Sequence, residues 1–114
     1  MLEIGVSVID ITPPIGLAMA GFAGRKGLAI GTHDPLTIRA LVVGETALAT
    51  VDVIGIDSAL SKRVRNQSSL PDNAITITAT HTHSGPLSMP GRLSGVCDSN
   101  FMEHLELGLI EAIE

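Results

Sequence analysis

Two histidines separated by one residue are the clearest candidates for chemistry in this chain. His81 and His83 lie in the segment Thr-His-Thr-His-Ser-Gly-Pro, and the apolar and threonine-rich run at residues 74–79 before it predicts a β-strand. Because side chains at i and i+2 of a strand point to the same face, we expect both imidazoles to point the same way at the strand's C-terminal end. The Ser-Gly-Pro that follows predicts a turn.

Paired imidazoles at a strand end suit two kinds of chemistry. They can bind a divalent metal, most often zinc, or they can combine one metal ligand with a group that moves a proton. The alternative is two loop histidines that only hydrogen-bond to the backbone, and spacing alone does not decide between them. A strand ending in a Gly-Pro turn favours a site, because ligands of α/β sheets bind in the crevice beyond the strand ends.

The composition describes one small domain with an aliphatic core. The chain has 114 residues, of which 45% are hydrophobic, and its aromatic residues are Phe22 and Phe101. Its net charge of −5 argues against a nucleic-acid partner, since phosphate binding requires a basic patch. No segment has the length of about 18 apolar residues that a transmembrane helix needs.

The single cysteine and the N-terminal residues bear on the cellular compartment. Cys97 has no second cysteine with which to form a disulfide, and its loop-like surroundings indicate an incidental thiol rather than a catalytic one. The N-terminus has neither a basic region nor the apolar region of a signal peptide. We therefore expect a cytoplasmic protein as sequenced, or a secreted one if a leader was removed.

The elements around the histidine pair predict a mixed α/β fold. Residues 3–9 alternate as a first strand, and residues 36–43 and 46–53 predict an antiparallel hairpin. Gly44-Glu45, with glycine first, is typical of a type II′ turn between them. A long glycine-rich loop at residues 15–32 matches neither phosphate-binding glycine pattern, but loops of this length are often functional.

Helices complete the predicted fold. Asp57 or Ser58 can cap a helix that runs to about Ser69, so the strand before it and the histidine strand could be parallel with a right-handed crossover. Asn100 with Glu103 resembles a capping box at the start of the last helix. Asp52, at the end of the second hairpin strand, could be a structural cap or a hydrogen-bond partner for an imidazole.

Six short segments, taken in order, carry a resemblance to a known family. They are Asp-Ile-Thr-Pro at 10–13, Ala-Gly-Phe-Ala-Gly at 20–24, Gly-Thr-His at 31–33, Arg-Ala at 39–40, Val-Asp at 51–52 and Ala-Thr-His-Thr-His-Ser-Gly-Pro at 79–86. Over most of residues 4–113, the chain resembles the N-terminal part of the neutral/alkaline non-lysosomal ceramidases. The histidine segment is the most specific match.

The resemblance implies a fold, a reaction and site residues. It implies that residues 1–114 form the N-terminal portion of a larger catalytic domain, with a mixed sheet and flanking helices. The family resembles zinc amidohydrolases that cut the amide of ceramide into sphingosine and a fatty acid. By this resemblance His81 would bind zinc and His83 would contact the scissile carbonyl or the carboxylate product. His33 would approach the same pocket, and Gly21 would bring its backbone near the carbonyl.

The chain also departs from the family. A catalytic zinc takes three protein ligands and a water, and the family's further His, Glu and Tyr ligands and its serine lie downstream. This chain has no tyrosine, and His104 fits the surface of the last helix. We therefore expect part of an enzyme, inactive alone: a separate domain, a truncated reading frame or half of a split protein. The alternatives are a non-catalytic metal- or ligand-binding domain and a structural or interaction domain.

The last predicted helix has no stop signal before the sequence ends. We therefore expect uncovered apolar surface, and such surfaces mark interfaces. The expected partners are the remainder of a catalytic domain or a second copy of the chain, together with a ceramide-like or other amide substrate.

Overall fold

The computed structural model describes residues 2–21, 27–91 and 96–114. Phe22 and Gly24 of the glycine-rich loop, and the Gly95 end of the loop after the histidines, lie outside the described residues. The elements are β1 (Ile4–Asp10), β2 (Thr37–Val43), β3 (Thr46–Val51), α1 (Ser58–Gln67), a 3₁₀ turn (Asp72–Ala74), β4 (Ile75–Ala79) and α2 (Ser99–Ile113). The predicted mixed α/β fold is confirmed.

The four described strands form one sheet in the order β1-β2-β3-β4. β1, β2 and β3 are antiparallel neighbours, and the predicted turn between β2 and β3 is present, with Gly44 at φ 59° as a tight hairpin requires. β3 and β4 are parallel and are joined through α1, as the alternation of strand, helix and strand predicted.

The core lies between one face of the sheet and both helices. Alanines on this face of β2 and β3 leave room for the helices, and α2 packs closely enough that a Cβ on Gly108 would lie 3.0 Å from Ile38 Cδ1. Leu60 and Val64 of α1 and Leu105 of α2 are fully buried. Aliphatic packing therefore holds the sheet and helices together, as the composition predicted.

The other face of the sheet, which we call the open face, carries an uncovered apolar patch beside polar residues such as Arg39 and Thr78. Val6, Leu41 and Leu48 are cross-strand neighbours there, with exposed fractions of 75%, 42% and 44%. Ile4 and Val8 extend the patch along β1. Antiparallel sheets that face water usually alternate apolar with polar residues, so this composition is typical of a face that another layer covers. The expected association with a partner remains a prediction.

The last helix begins earlier than the sequence predicted. Asp98, not Asn100, caps α2, because its Oδ2 accepts a hydrogen bond of 2.8 Å from the amide of Phe101. Asn100 lies inside the first turn, so the predicted capping box is wrong. Asp57 caps α1 as predicted, accepting from the amide of Leu60 at 2.9 Å.

We expect Asp98→Ala to lower the free energy of unfolding by about 1 kcal/mol, the usual value of a lost N-cap. Asn100→Ala, two residues further along in the first turn of the same helix, should change the free energy of unfolding much less. Urea unfolding followed by circular dichroism measures both. Equal losses in the two variants would contradict the assignment of the cap.

None of the helices in the described ranges is long and apolar enough to cross a membrane.

Candidate functional site

The two imidazoles of the histidine pair are in contact. Their ring centroids are 5.0 Å apart, with the ring planes at 69°. Strand parity is not the reason, because β4 ends at Ala79 and His81 has a left-handed backbone with φ 63°. The structure therefore brings His81 and His83 together in the loop that follows the strand.

His81 is held by two hydrogen bonds to the segment after β3. Its amide donates to Val53 O at 3.1 Å, and its ring Nδ1 lies 2.8 Å from Ile54 O. A carbonyl oxygen only accepts hydrogen bonds, so Nδ1 carries the proton and the lone pair of the neutral ring lies on Nε2. A left-handed non-glycine residue costs about 1 kcal/mol or more, so these contacts must offset backbone strain.

Gly21 lies directly against His83. A Cβ added to Gly21 would lie only 2.4 Å from His83 Cγ, and the φ of Gly21 is 108°. The two residues before Gly21 hold it there: the amide of Ala20 donates to Gly85 O at 2.9 Å, and Met19 forms a β-bridge with Pro86. The glycine-rich loop thus packs on the turn after the histidines. No local sequence pattern predicts this contact.

A cavity of about 700 Å³ lies on the other side of the histidine loop. Its lining includes Thr80, Thr82 and Ser84, which alternate along the chain with the two histidines, whereas neither His81 nor His83 is a lining residue. The lining also includes the apolar residues Pro13, Pro14, Ile15, Leu17 and Met19 and the ionisable residues His33, Asp34 and Asp52. The cavity therefore has a mixed polar and apolar lining.

His33 is one of the residues that line this cavity. Its side chain is 97% exposed, and its Nδ1 lies 3.0 Å from Asp34 Oδ2. The structure thus brings Gly21 to the histidine pair and places His33 at the neighbouring cavity. The role expected for His33 remains a prediction.

The sequence left two roles open for Asp52, a structural cap and a hydrogen-bond partner for an imidazole, and its observed bonds are structural. Its Oδ2 accepts from the amide of Thr37 at 3.0 Å and from Thr37 Oγ1 at 3.1 Å. These bonds join the end of β3 to the start of β2 beside the cavity that Asp52 helps to line. The carboxylate thereby ties together the ends of β2 and β3, from which the segment that bonds to His81 departs.

The other titratable candidates lie apart from the histidine pair. Cys97 is half-buried, and burial followed by the nearby Asp57 carboxylate raises the pKa of its thiol. A raised pKa disfavours the reactive thiolate, which agrees with an incidental cysteine. His104 is exposed on α2, as expected. Within residues 2–21, 27–91 and 96–114, no three His, Cys, Asp or Glu side chains are close enough together to hold a metal ion.

The fit of a zinc ion to these residues is therefore partial. The tautomer of His81 suits a metal ligand, since metal-bound histidines almost always donate their second ring N–H to a carbonyl or carboxylate. A catalytic zinc also needs two further protein ligands, which the described residues do not assemble.

Two curated relatives cover most of the chain. A neutral ceramidase of Oryza sativa subsp. japonica is 28% identical over 95 residues, and neutral ceramidase 3 of Arabidopsis thaliana is 27% identical over 94 residues. These alignments span 73% and 72% of this chain but only 12% and 13% of the relatives. The predicted resemblance to the neutral ceramidase family is confirmed. No protein-family model matches the chain.

Ceramidase structures also share the fold. A ceramidase complexed with C2 superposes with a TM-score of 0.82 over 98% of this chain, at 22% identity. The crystal structure of the neutral ceramidase from Pseudomonas aeruginosa gives a TM-score of 0.81 over 97%, at 23% identity. Each match covers 20% of the ceramidase chain, so the ceramidase fold seen here is a partial domain.

Proposed function

We propose that residues 1–114 form the N-terminal portion of a zinc-dependent amidohydrolase of the neutral ceramidase type. The reaction is hydrolysis of the N-acyl amide of ceramide, or of a related amide, to a fatty acid and an amine. The observation that carries the proposal is the bond between His81 Nδ1 and Ile54 O, 2.8 Å long, which leaves Nε2 as the ligating atom. The names of the relatives support the choice of substrate class.

In this proposal, each site residue of the chain has a different role in the reaction. When bound, zinc lowers the pKa of a water to about 7 and polarises a carbonyl, which an unreactive amide requires. His81 supplies one ligand. His83, whose ring touches that of His81, contacts the scissile carbonyl or the carboxylate product. Gly21 packs on His83 and brings backbone to the same place, and His33 approaches from the cavity side.

The remaining zinc ligands come from outside residues 1–114 in this proposal. The chain spans about an eighth of the length of its curated relatives. One imidazole, or two or three if His83 and His33 are recruited, binds zinc weakly, because affinity comes from several preplaced donors. The open face would then pack against the rest of the catalytic domain or, in the isolated chain, against a second copy.

The test compares the 114-residue chain with the same chain joined to the coding sequence that follows it in the genome. We expect the short chain to hold little zinc and to release no measurable fatty acid from an N-acyl sphingoid substrate. The longer protein should do both. Robust release by the short chain would overturn the claim that it is incomplete, and a longer protein that folds without zinc or turnover would overturn the assigned reaction.

A second candidate is a non-catalytic ligand-binding domain on the same scaffold. It is favoured by the cavity of about 700 Å³, whose volume and mixed lining suit a small amphipathic molecule. Binding of a labelled N-acyl sphingoid by the longer protein, with no turnover and no zinc, would select this candidate.

A further inference from the structure

The loop after β3 accepts hydrogen bonds from His81 and from Ser88, which follows the histidine segment. Val53, Ile54 and Gly55 present three consecutive carbonyls, which we call the carbonyl platform. Val53 O and Ile54 O accept from the amide and the Nδ1 of His81. Gly55 O accepts from Ser88 Oγ at 2.7 Å. One short stretch of backbone therefore holds the residue expected to ligate zinc and a second residue seven positions later.

Ser88 is an unusual side chain in this fold. Its exposed fraction is 0%, and it and Thr37 are the polar residues among the buried ones described. A buried hydroxyl is costly without a hydrogen-bond partner, and the partner that Ser88 has is Gly55 O. Its hydroxyl is best explained by the bond that it makes to the carbonyl platform.

Met89 reinforces the same contact. Its Sδ lies so close to Gly55 that a Cβ on Gly55 would be 2.5 Å from it. Gly55 is thus fixed by a hydrogen bond from Ser88 and by the packing of the next side chain. The Cα of Gly55 joins the peptide group that carries Gly55 O to the one that carries the Ile54 carbonyl. Anchoring Gly55 O and packing Met89 against this Cα therefore limit how far the Ile54 carbonyl can turn.

We propose that Ser88 is a positioning residue for His81: it anchors Gly55 so that the Ile54 carbonyl stays aimed at His81 Nδ1 and Nε2 stays the unprotonated nitrogen. This inference rests on the proposed role of His81 as a zinc ligand. Partners that orient a metal-binding histidine typically change metal affinity by about 10- to 100-fold when they are removed.

The experiment compares Ser88→Ala with Ser7→Ala in the 114-residue chain. Ser7 Oγ also donates to a backbone carbonyl, that of Ala112, at 2.8 Å, so both variants lose one serine-to-carbonyl bond. Only the first loss is next to the histidines. Long-range ¹H–¹⁵N spectra at pH 8, without metal, report which ring nitrogen of His81 is protonated. Titration with Zn²⁺ alone, followed on the same signals, reports affinity.

We expect the wild type and Ser7→Ala to show His81 protonated at Nδ1. Ser88→Ala should show a mixture of tautomers and a Zn²⁺ affinity lower by about 10-fold. If Ser88→Ala does not fold, Ser88→Cys, which retains a weak donor of similar size, takes its place and should give a smaller effect. A His81 signal identical in the serine variants and the wild type would overturn the positioning role. Altered tautomers in a chain that binds no Zn²⁺ would uphold positioning and count against the zinc site instead.

Discussion

His81→Ala in the longer protein of the proposed function should reduce bound zinc to background and abolish turnover. The reason is that the Nδ1 of His81 is bonded to Ile54 O, which leaves Nε2 as the ligating atom that the proposal requires. His83→Ala should keep most of the zinc and lower turnover by about 10²–10³-fold, the usual loss when one group that binds the reacting oxygen is removed. Zinc content by mass spectrometry and release of fatty acid measure the two effects.

The backbone of His81 offers a control for this prediction. Alanine at this position would retain the strained φ of 63° but lose the two contacts of the ring, so it could disturb the whole loop. Glycine adopts a positive φ without strain. His81→Gly should therefore fold at least as well as His81→Ala and still lose zinc. Full zinc occupancy in either variant would contradict the ligand assignment, and full zinc loss in His83→Ala would contradict the division of roles.

Gly21→Ala should destabilise the chain and disturb the histidine pair together. A left-handed backbone costs an alanine about 1–2 kcal/mol, and the new Cβ would overlap the ring of His83. Overpacking of this kind typically costs about 1–3 kcal/mol more, since His83 or the glycine loop must move. We expect a clear fall in the urea midpoint and a large change in the His83 ring signals.

Gly16→Ala is the matched control for Gly21→Ala. Gly16 has nearly the same φ, 104° against 108°, but among the described residues, its two chain neighbours aside, no atom lies within 4 Å of the position of its added Cβ. Gly16→Ala should therefore lower the free energy of unfolding only by the cost of the left-handed backbone, and it should leave the imidazole signals unchanged. Combining Gly21→Ala with His83→Gly, which removes both the ring and the Cβ of His83, should recover the part of the loss that comes from the overlap. Equal losses for Gly16→Ala and Gly21→Ala would show that Gly21 does not pack on His83 in solution.

Sequence patterns predicted the parts of this fold that depend on near neighbours. The β2–β3 hairpin followed from alternating residues around Gly44, and α1 followed from helical spacing after Asp57. The predicted cap of α2 was wrong, because Asp98 and Asn100 are both residues that cap helices well. The hydrogen bond that identifies Asp98 as the cap is visible only in the folded chain. The sheet order required the parallel pairing of β3 with β4, which the intervening helix made foreseeable.

The candidate site was less accessible to sequence reasoning. Alternation predicted neighbouring imidazoles, but the strand stops before His81, and the left-handed turn that brings the rings together has no signature in a histidine. The bonds from His81 to Val53 and Ile54 join residues 27 or more positions apart, so no local pattern reports them. Ser88 was missed for the same reason, since its partner is Gly55.

The position of β4 in the sheet affects the lifetime of the hydrogen bond between His81 and Ile54. Within the described sheet, β4 is the shortest strand and an edge strand, with β3 as its one neighbour. Edge strands detach in local unfolding events at a lower free energy than central ones. Each such event would carry the loop after Ala79 away from the Ile54 carbonyl and would release His81 from its fixed tautomer. Any layer or strand that packs against β4 would therefore lengthen the time for which the His81 ring keeps this tautomer, without contacting the ring.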